Sequence, residues 1–124
     1  MRDTIIIIII AFLVIGGSLY SKNLYKNFYE QISNKLQFLV DHIDIDTNKE
    51  KTISEIEELW LKNESLLIIF QDHSSIDKIE ENLYECMHHY RMNDLNRLML
   101  FKEKTESGIE DLIKREELLL VDIL

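Results

Sequence analysis

The sequence predicts an all-α protein, an N-terminal transmembrane helix continuing into an up-and-down four-helix bundle. Three observations predict it. Residues 5–10 are six consecutive isoleucines inside an uncharged apolar run from Thr4 to Tyr20. After that run the chain holds no proline and one glycine, Gly108, so it lacks the punctuation that hairpins and sandwiches need. From Leu24 onward, apolar residues recur three and four apart, which is the helical period. The division expected is residues 1–20 as membrane anchor and 21–124 as one helical bundle domain, since 104 residues build one modest core and not two.

The apolar run has three readings. As a helix its seventeen residues rise about 25 Å, slightly short of a hydrocarbon core about 30 Å thick, which fits a short single-pass anchor contacting lipid through residues 4–20. As a signal peptide it would be cleaved near Ser18, with Gly16 and Ser18 as the small residues, releasing a secreted bundle. As a buried strand it would be unusually long and uniform. The anchor reading is preferred, because Arg2 and Asp3 make a poor export signal and Gly16-Gly17 is better tolerated in lipid than in a soluble helix. Orientation stays open: Lys22, Lys26 and Lys35 lean toward a cytoplasmic C-terminal part by a small margin.

The first bundle helix carries Leu24, Phe28, Ile32, Leu36, Leu39 and Ile43 as one stripe, with no breaker before Asp41, so anchor and stripe form one rod. A turn follows at Asp44–Asn48, and Thr47 with Glu50 has capping-box spacing. The second helix places Ile53, Ile56, Trp60, Asn63, Leu67 and Phe70 inward; Asn63 sets register among helices or turns to a rim. Asp72-His73-Ser74-Ser75 breaks the pattern, with Ser74 and Asp77 as an N-cap pair. The third helix turns Ile76, Ile79, Leu83, Cys86 and Tyr90 inward. Asn93-Asp94 restarts the chain, and the fourth uses Leu95, Leu98, Thr105, Ile109 and Leu112 before an apolar tail, Leu118 to Leu124.

The net charge of −9 is localised. Asp41 to Glu85 holds thirteen acidic and four basic residues, and the remainder carries ten of each. Such a surface repels phosphates, so no nucleic acid is expected as a partner. The single cysteine, Cys86, forms no internal disulfide and reads as a small buried apolar residue.

Several segments together resemble a known family. Trp60-Leu61-Lys62, Phe70-Gln71-Asp72-His73-Ser74-Ser75-Ile76-Asp77-Lys78-Ile79-Glu80, Leu83 and the closing Asp122-Ile123-Leu124 are similar to a Gram-positive, mainly clostridial family catalogued as domain of unknown function 4363. The usual Asn-Ile-Leu end is Asp-Ile-Leu here, and the lysine-rich start is reduced to Arg2. The resemblance implies a single-pass membrane protein with its bundle extracytoplasmic and a multi-pass membrane protein as partner. It implies no activity.

Candidate chemistry is sparse. Asp44, Asp46, Asn48 and Glu55 have the oxygen-ligand spacing of a calcium loop, but Lys49 stands where the loop needs glycine. Glu85-x-x-His88 has the spacing of one half of a ferritin-like metal site, with no second copy of the motif. His73, Asp77 and Glu81 align along the third helix and form the preferred interaction surface; histidine there also suits a pH sensor. Trp60 is the structural anchor, the alternative being a ligand groove with Phe70 and Tyr84. Nucleophilic catalysis gets no support, since Cys86 sits on the apolar stripe, and there is no glycine-rich phosphate loop, so neither an enzyme nor a cofactor is expected. The function expected is a membrane-tethered accessory bundle. Its rival is a metal-binding or enzymatic bundle using the acidic middle and its histidines.

Overall fold

The computed structural model describes the backbone of residues 2–70 and 73–123, without the side chains of residues 18, 21, 22, 66, 68–70, 116 and 119–123. Among the described residues there are helices α1 (Arg2–His42), α2 (Lys49–Phe70), α3 (His73–Arg91) and α4 (Leu95–Ile123), and no strand. The all-helical bundle predicted from the missing breakers is what the chain adopts.

The polar residues of the connections work as the chemistry of caps requires. Helix α2 is capped by Asn48, whose Oδ1 accepts the Lys51 amide at 3.3 Å, while Asp46 Oδ1 accepts the Asn48 amide at 2.9 Å. The capping box expected at Thr47 and Glu50 does not form, since the helix begins one residue later and Glu50 pairs with Arg91 instead. Helix α3 ends in a Schellman arrangement. Asn93 takes a left-handed φ of 57°, its amide reaches the Tyr90 carbonyl at 3.3 Å, and the Asp94 amide reaches the His89 carbonyl at 3.0 Å. Asp94 then caps α4 through the Arg97 amide at 3.2 Å. Ser74 lies inside α3, which already includes His73, so it is not the N-cap; Gln71 and Asp72 lie outside the described residues.

Neighbouring helices run antiparallel. Lys35 on α1 meets Glu55 on α2, Glu50 on α2 meets Arg91 on α3, Ser75 on α3 meets Arg115 on α4, and Tyr29 on α1 meets Glu110 on α4. Helix α4 packs most extensively, against α1 and α3, whereas α2 touches its neighbours less closely. The core is the predicted set of stripes: Phe28, Ile32, Leu36, Leu39 and Ile43; Ile53, Ile56, Trp60 and Leu67; Ile76 to Tyr90; and Leu98, Ile109 and Leu112. Three assignments change. Tyr25 and not Leu24 opens the buried stripe, Leu95 is 39% exposed, and Asn63 stays half-buried with its amide on the Leu59 carbonyl at 2.8 Å. The Phe70 side chain lies outside the described residues. Trp60 is 1% exposed and its ring lies 5.8 Å from that of Phe28.

Helix α1 is unbroken for 41 residues, so the single rod holds. Its first half lies apart from the core: Ile5–Ile10 are all exposed, and Phe12 and Leu13 are 79% and 70% exposed. A membrane-spanning helix, predicted over Thr4–Tyr20, is not found; among the described residues no helix is long and apolar enough to cross a membrane. As a helix the apolar run Thr4–Tyr20 rises about 25 Å, short of the roughly 30 Å of a hydrocarbon core.

Two substitutions test the packing by urea denaturation. Trp60→Ala should lower stability by about 3–5 kcal/mol, as expected for a large aromatic side chain removed from a core. Gly108→Val should cost about 1–3 kcal/mol, because even a Cβ at Gly108 would come 2.9 Å from Ile79 Cγ1, where α3 and α4 approach closely.

Candidate functional site

The acidic stretch folds onto the face shared by α2 and α3. His73, Asp77 and Glu81 are all exposed along α3, and none makes a hydrogen bond or ion pair among the described residues. Glu80, half-buried beside them, has its carboxyl pushed up, first by burial and then by Glu64 across the seam on α2; Asp77 adds to this and Trp60 opposes it. The indole N–H of Trp60 completes no hydrogen bond, but it lies close enough to Glu80 to favour the charged carboxylate. Tyr84 is raised by its own partial burial and then by Glu80, Glu57 and Glu64, so three carboxylates surround one phenol. None of these acids forms an ion pair among the described residues. The seam is therefore a surface of mutually repelling carboxylates over a buried tryptophan.

At the turn end, the same seam is held together. Asp46, in the α1–α2 turn, accepts hydrogen bonds from the Tyr90 hydroxyl, from Thr52 Oγ1 at 2.7 Å and from the Asn48 amide, and these hold its carboxyl below the usual range in that order. Burial and the Asp46 carboxylate push the Tyr90 phenol well up. Lys49 lies over the Tyr90 ring, 4.7 Å from its centroid, donates to the Tyr90 carbonyl at 2.8 Å and reaches the Asn93 side chain. Arg91 closes a two-pronged pair on Glu50, at 2.8 and 3.1 Å. That fork holds Glu50 below its usual range.

These bonds account for the calcium-loop residues. The structure does not assemble Asp44, Asp46, Asn48 and Glu55 into one site: Asp46 and Asn48 serve the turn, Asp44 is exposed, and Glu55 pairs with Lys35 on α1 at 3.5 Å. Among the described residues no group of three histidine, cysteine, aspartate or glutamate side chains is placed to hold a metal ion. Glu85 pairs with His89 at 3.3 Å and leaves His88 exposed. His89 is buried, its ring stacked on Phe101; the i, i+4 spacing from Glu85 was the signal for it. Cys86 is buried beside Thr105, and burial pushes its thiol up to about 12, which disfavours the nucleophilic thiolate.

Among the described residues, clefts flank the bundle. One of about 640 Å³ lies between α3 and α4 over Ile79, Gly108 and Leu112, with Lys78, Lys104 and Asp111 at its rim. Another, of about 610 Å³, lies between α1 and α2 beside Phe38 and Leu59. Neither contains His73, Asp77 or Glu81.

No family model, curated protein or solved structure matches the chain, so the family resemblance rests on the segments quoted for it.

The two perturbed carboxylates should act on stability with opposite sign. Asp46, held low, contributes stability present above the unfolded aspartate value and lost as pH falls through its folded value. Glu80, held high, destabilises the fold at neutral pH, and the effect is relieved as pH falls through its raised folded value toward the unfolded one. Urea titrations across pH should show Asp46→Asn flattening the loss on the acid side. Glu80→Gln should remove the relief at mildly acidic pH and stabilise the protein at pH 7.

Proposed function

We propose that the protein is a helical bundle tethered to a membrane by the N-terminal half of α1, acting by protein–protein contact as an accessory to a larger, multi-pass membrane protein. The observation that carries this reading is the change in exposure along one helix. From Ile5 to Val14 apolar side chains are exposed on every side, while from Tyr25 to Ile43 one stripe is buried and the rest, apart from Tyr29, Phe38 and Val40, is polar. An apolar surface of that extent, all around a helix, needs a cover other than water, at about 25 cal/mol for each Å² removed. A bilayer supplies that cover uniformly around the helix axis.

The acidic α2–α3 face supports the contact reading. Away from the Glu50–Arg91 and Glu85–His89 pairs, Glu57, Glu64, Asp77, Glu80 and Glu81 make no ion pair among the described residues, so a basic partner surface would relieve their repulsion and gain specificity from charge complementarity. His73, Asp77 and Glu81 stand at its accessible edge. The family resemblance adds the multi-pass partner and an extracytoplasmic bundle; protease added to intact cells should then digest the bundle.

Full-length protein should remain in the membrane pellet after an alkaline carbonate wash, and Ile9→Arg should weaken insertion by about 2.5–3.5 kcal/mol. Wild type in the soluble fraction would overturn the tether. For the face, the double substitution Asp77→Lys with Glu81→Lys should abolish recovery of a membrane partner from detergent extracts while leaving the helical circular dichroism unchanged. Rising salt should weaken the wild-type complex in the same way, since exposed charges more than about 8 Å apart are largely screened at physiological ionic strength.

A further inference from the structure

We infer that the cleft between α3 and α4 binds a single-chain anionic amphiphile, with its carboxylate or phosphate head on Arg115 and Lys78 and its alkyl chain along Ile79, Gly108 and Leu100. The site lies outside the acidic contact face and does not depend on the tether.

Two facing stripes make the cleft. On α4, Leu100, Lys104, Gly108, Asp111 and Arg115 follow one another at three or four residues, and Ser75, Lys78 and Asn82 do the same on α3. From Leu100 to Arg115 the α4 stripe rises about 22 Å, so the cleft is elongated. Gly108 draws the two helices together at its middle, where an added Cβ would come 2.9 Å from Ile79 Cγ1. The floor there is backbone with the buried side chains of Ile79 and Leu112, and Leu100 stays 47% exposed at the end nearer the α3–α4 turn. A volume of about 640 Å³ suits one small ligand, since such sites span about 300–1,000 Å³.

Charge decides which end takes the head. Toward the α3–α4 turn, Glu103 and Lys104 adjoin and cancel. At the other end Arg115 and Lys78 line the cleft against one acid, Asp111, and neither cation closes an ion pair among the described residues. Arg115 gives one of its N–H donors to Ser75 Oγ at 2.8 Å, which steadies the guanidinium at the mouth and leaves other donors for a ligand. Its neighbours Lys114 and Glu117 do not line the cleft, and the side chain of Glu116 lies outside the described residues. A guanidinium fork matches a carboxylate or phosphate, and two cations without ion pairs in a chain of net charge −9 favour an anion. An inorganic anion would leave the apolar strip bare, and a neutral apolar molecule would leave the cations unmatched. A head and a chain in one molecule satisfy both.

The test uses the full chain in phosphatidylcholine nanodiscs, with dodecanoic acid carrying a diazirine near its methyl end as probe. After irradiation, peptide mass spectrometry should place the crosslink in the cleft, around Ile79 and Leu100. Unlabelled dodecanoate and dodecyl phosphate should compete, and dodecanol should not. Arg115→Gln should raise the probe concentration for half-maximal capture about tenfold, as expected for a lost charge-assisted partner, with the helical circular dichroism unchanged. Lys78→Gln should act in the same direction, and Asp111→Asn should lower that concentration. Crosslinks confined to Ile5–Val14 overturn the inference and leave the tether standing. Competition by dodecanol equal to that by dodecanoate, or capture indifferent to both Arg115→Gln and Lys78→Gln, also overturns it. Capture should persist when phosphatidylglycerol is added to the discs; its suppression would mean that a bilayer lipid fills the cleft, and overturns the assignment to a free amphiphile.

Discussion

The unbroken hydrogen-bond ladder of α1 is the constraint on which the rest depends. A helix of 41 residues with no proline, continuous through Gly16-Gly17-Ser18, transmits position along its length. Gly16 and Gly17 sit inside it without strain, and nothing lies within 4 Å of where their Cβ atoms would be. Whatever holds Ile5–Val14 therefore also fixes the attitude of the bundle built on Tyr25–Ile43. A flexible linker would separate the two tasks, and this chain has none between them.

Packing around that rod is uneven, and the unevenness matches the charge. Helix α4 lies against α1 and α3, with small or polar residues, Gly108 and Thr105, where it comes close. Helix α2 is held less closely. It is anchored by Trp60 against Phe28 and fastened at the turn end by Asp46, Lys49 and Glu50 acting on Tyr90, Asn93 and Arg91. Along the rest of the α2–α3 seam, Glu57, Glu64 and Glu80 repel one another around Tyr84. A seam stapled at one end and repulsive along its length is a costly way to build a bundle unless a partner neutralises it. That is the physical basis for seeking the partner contact on this face and not in either cleft.

The α1–α2 turn and α3 also show why ligand spacing alone does not make a site. Asp44-x-Asp46-x-Asn48 has ligand spacing, but Asp46 is consumed by three hydrogen bonds from its own turn and from Tyr90, a residue 44 positions away. Glu85 has two histidines within reach on the helix, at i+3 and i+4, and it pairs with the second, His89. A spacing rule counts residues along the chain and does not see a competing donor arriving from another helix.

The sequence alone determined that the chain is helical, that its core is a set of three-and-four stripes, and that Trp60 and Cys86 belong to it. Local chemistry decides those matters: periodicity, absent breakers, and the free energy of removing apolar side chains from water. It also placed Asn93 and Asp94 at a restart, because few other residues suit a left-handed C-cap followed by an N-cap. Only the tertiary structure decided that Tyr25 begins the buried stripe, that Leu95 stays outside, and that Glu50 serves Arg91 instead of a capping box. It alone brought Glu64 and Glu80 together, and Tyr29 to Glu110. Those outcomes depend on which helices become neighbours and at what height, and no local pattern encodes the distance between residues eighty positions apart.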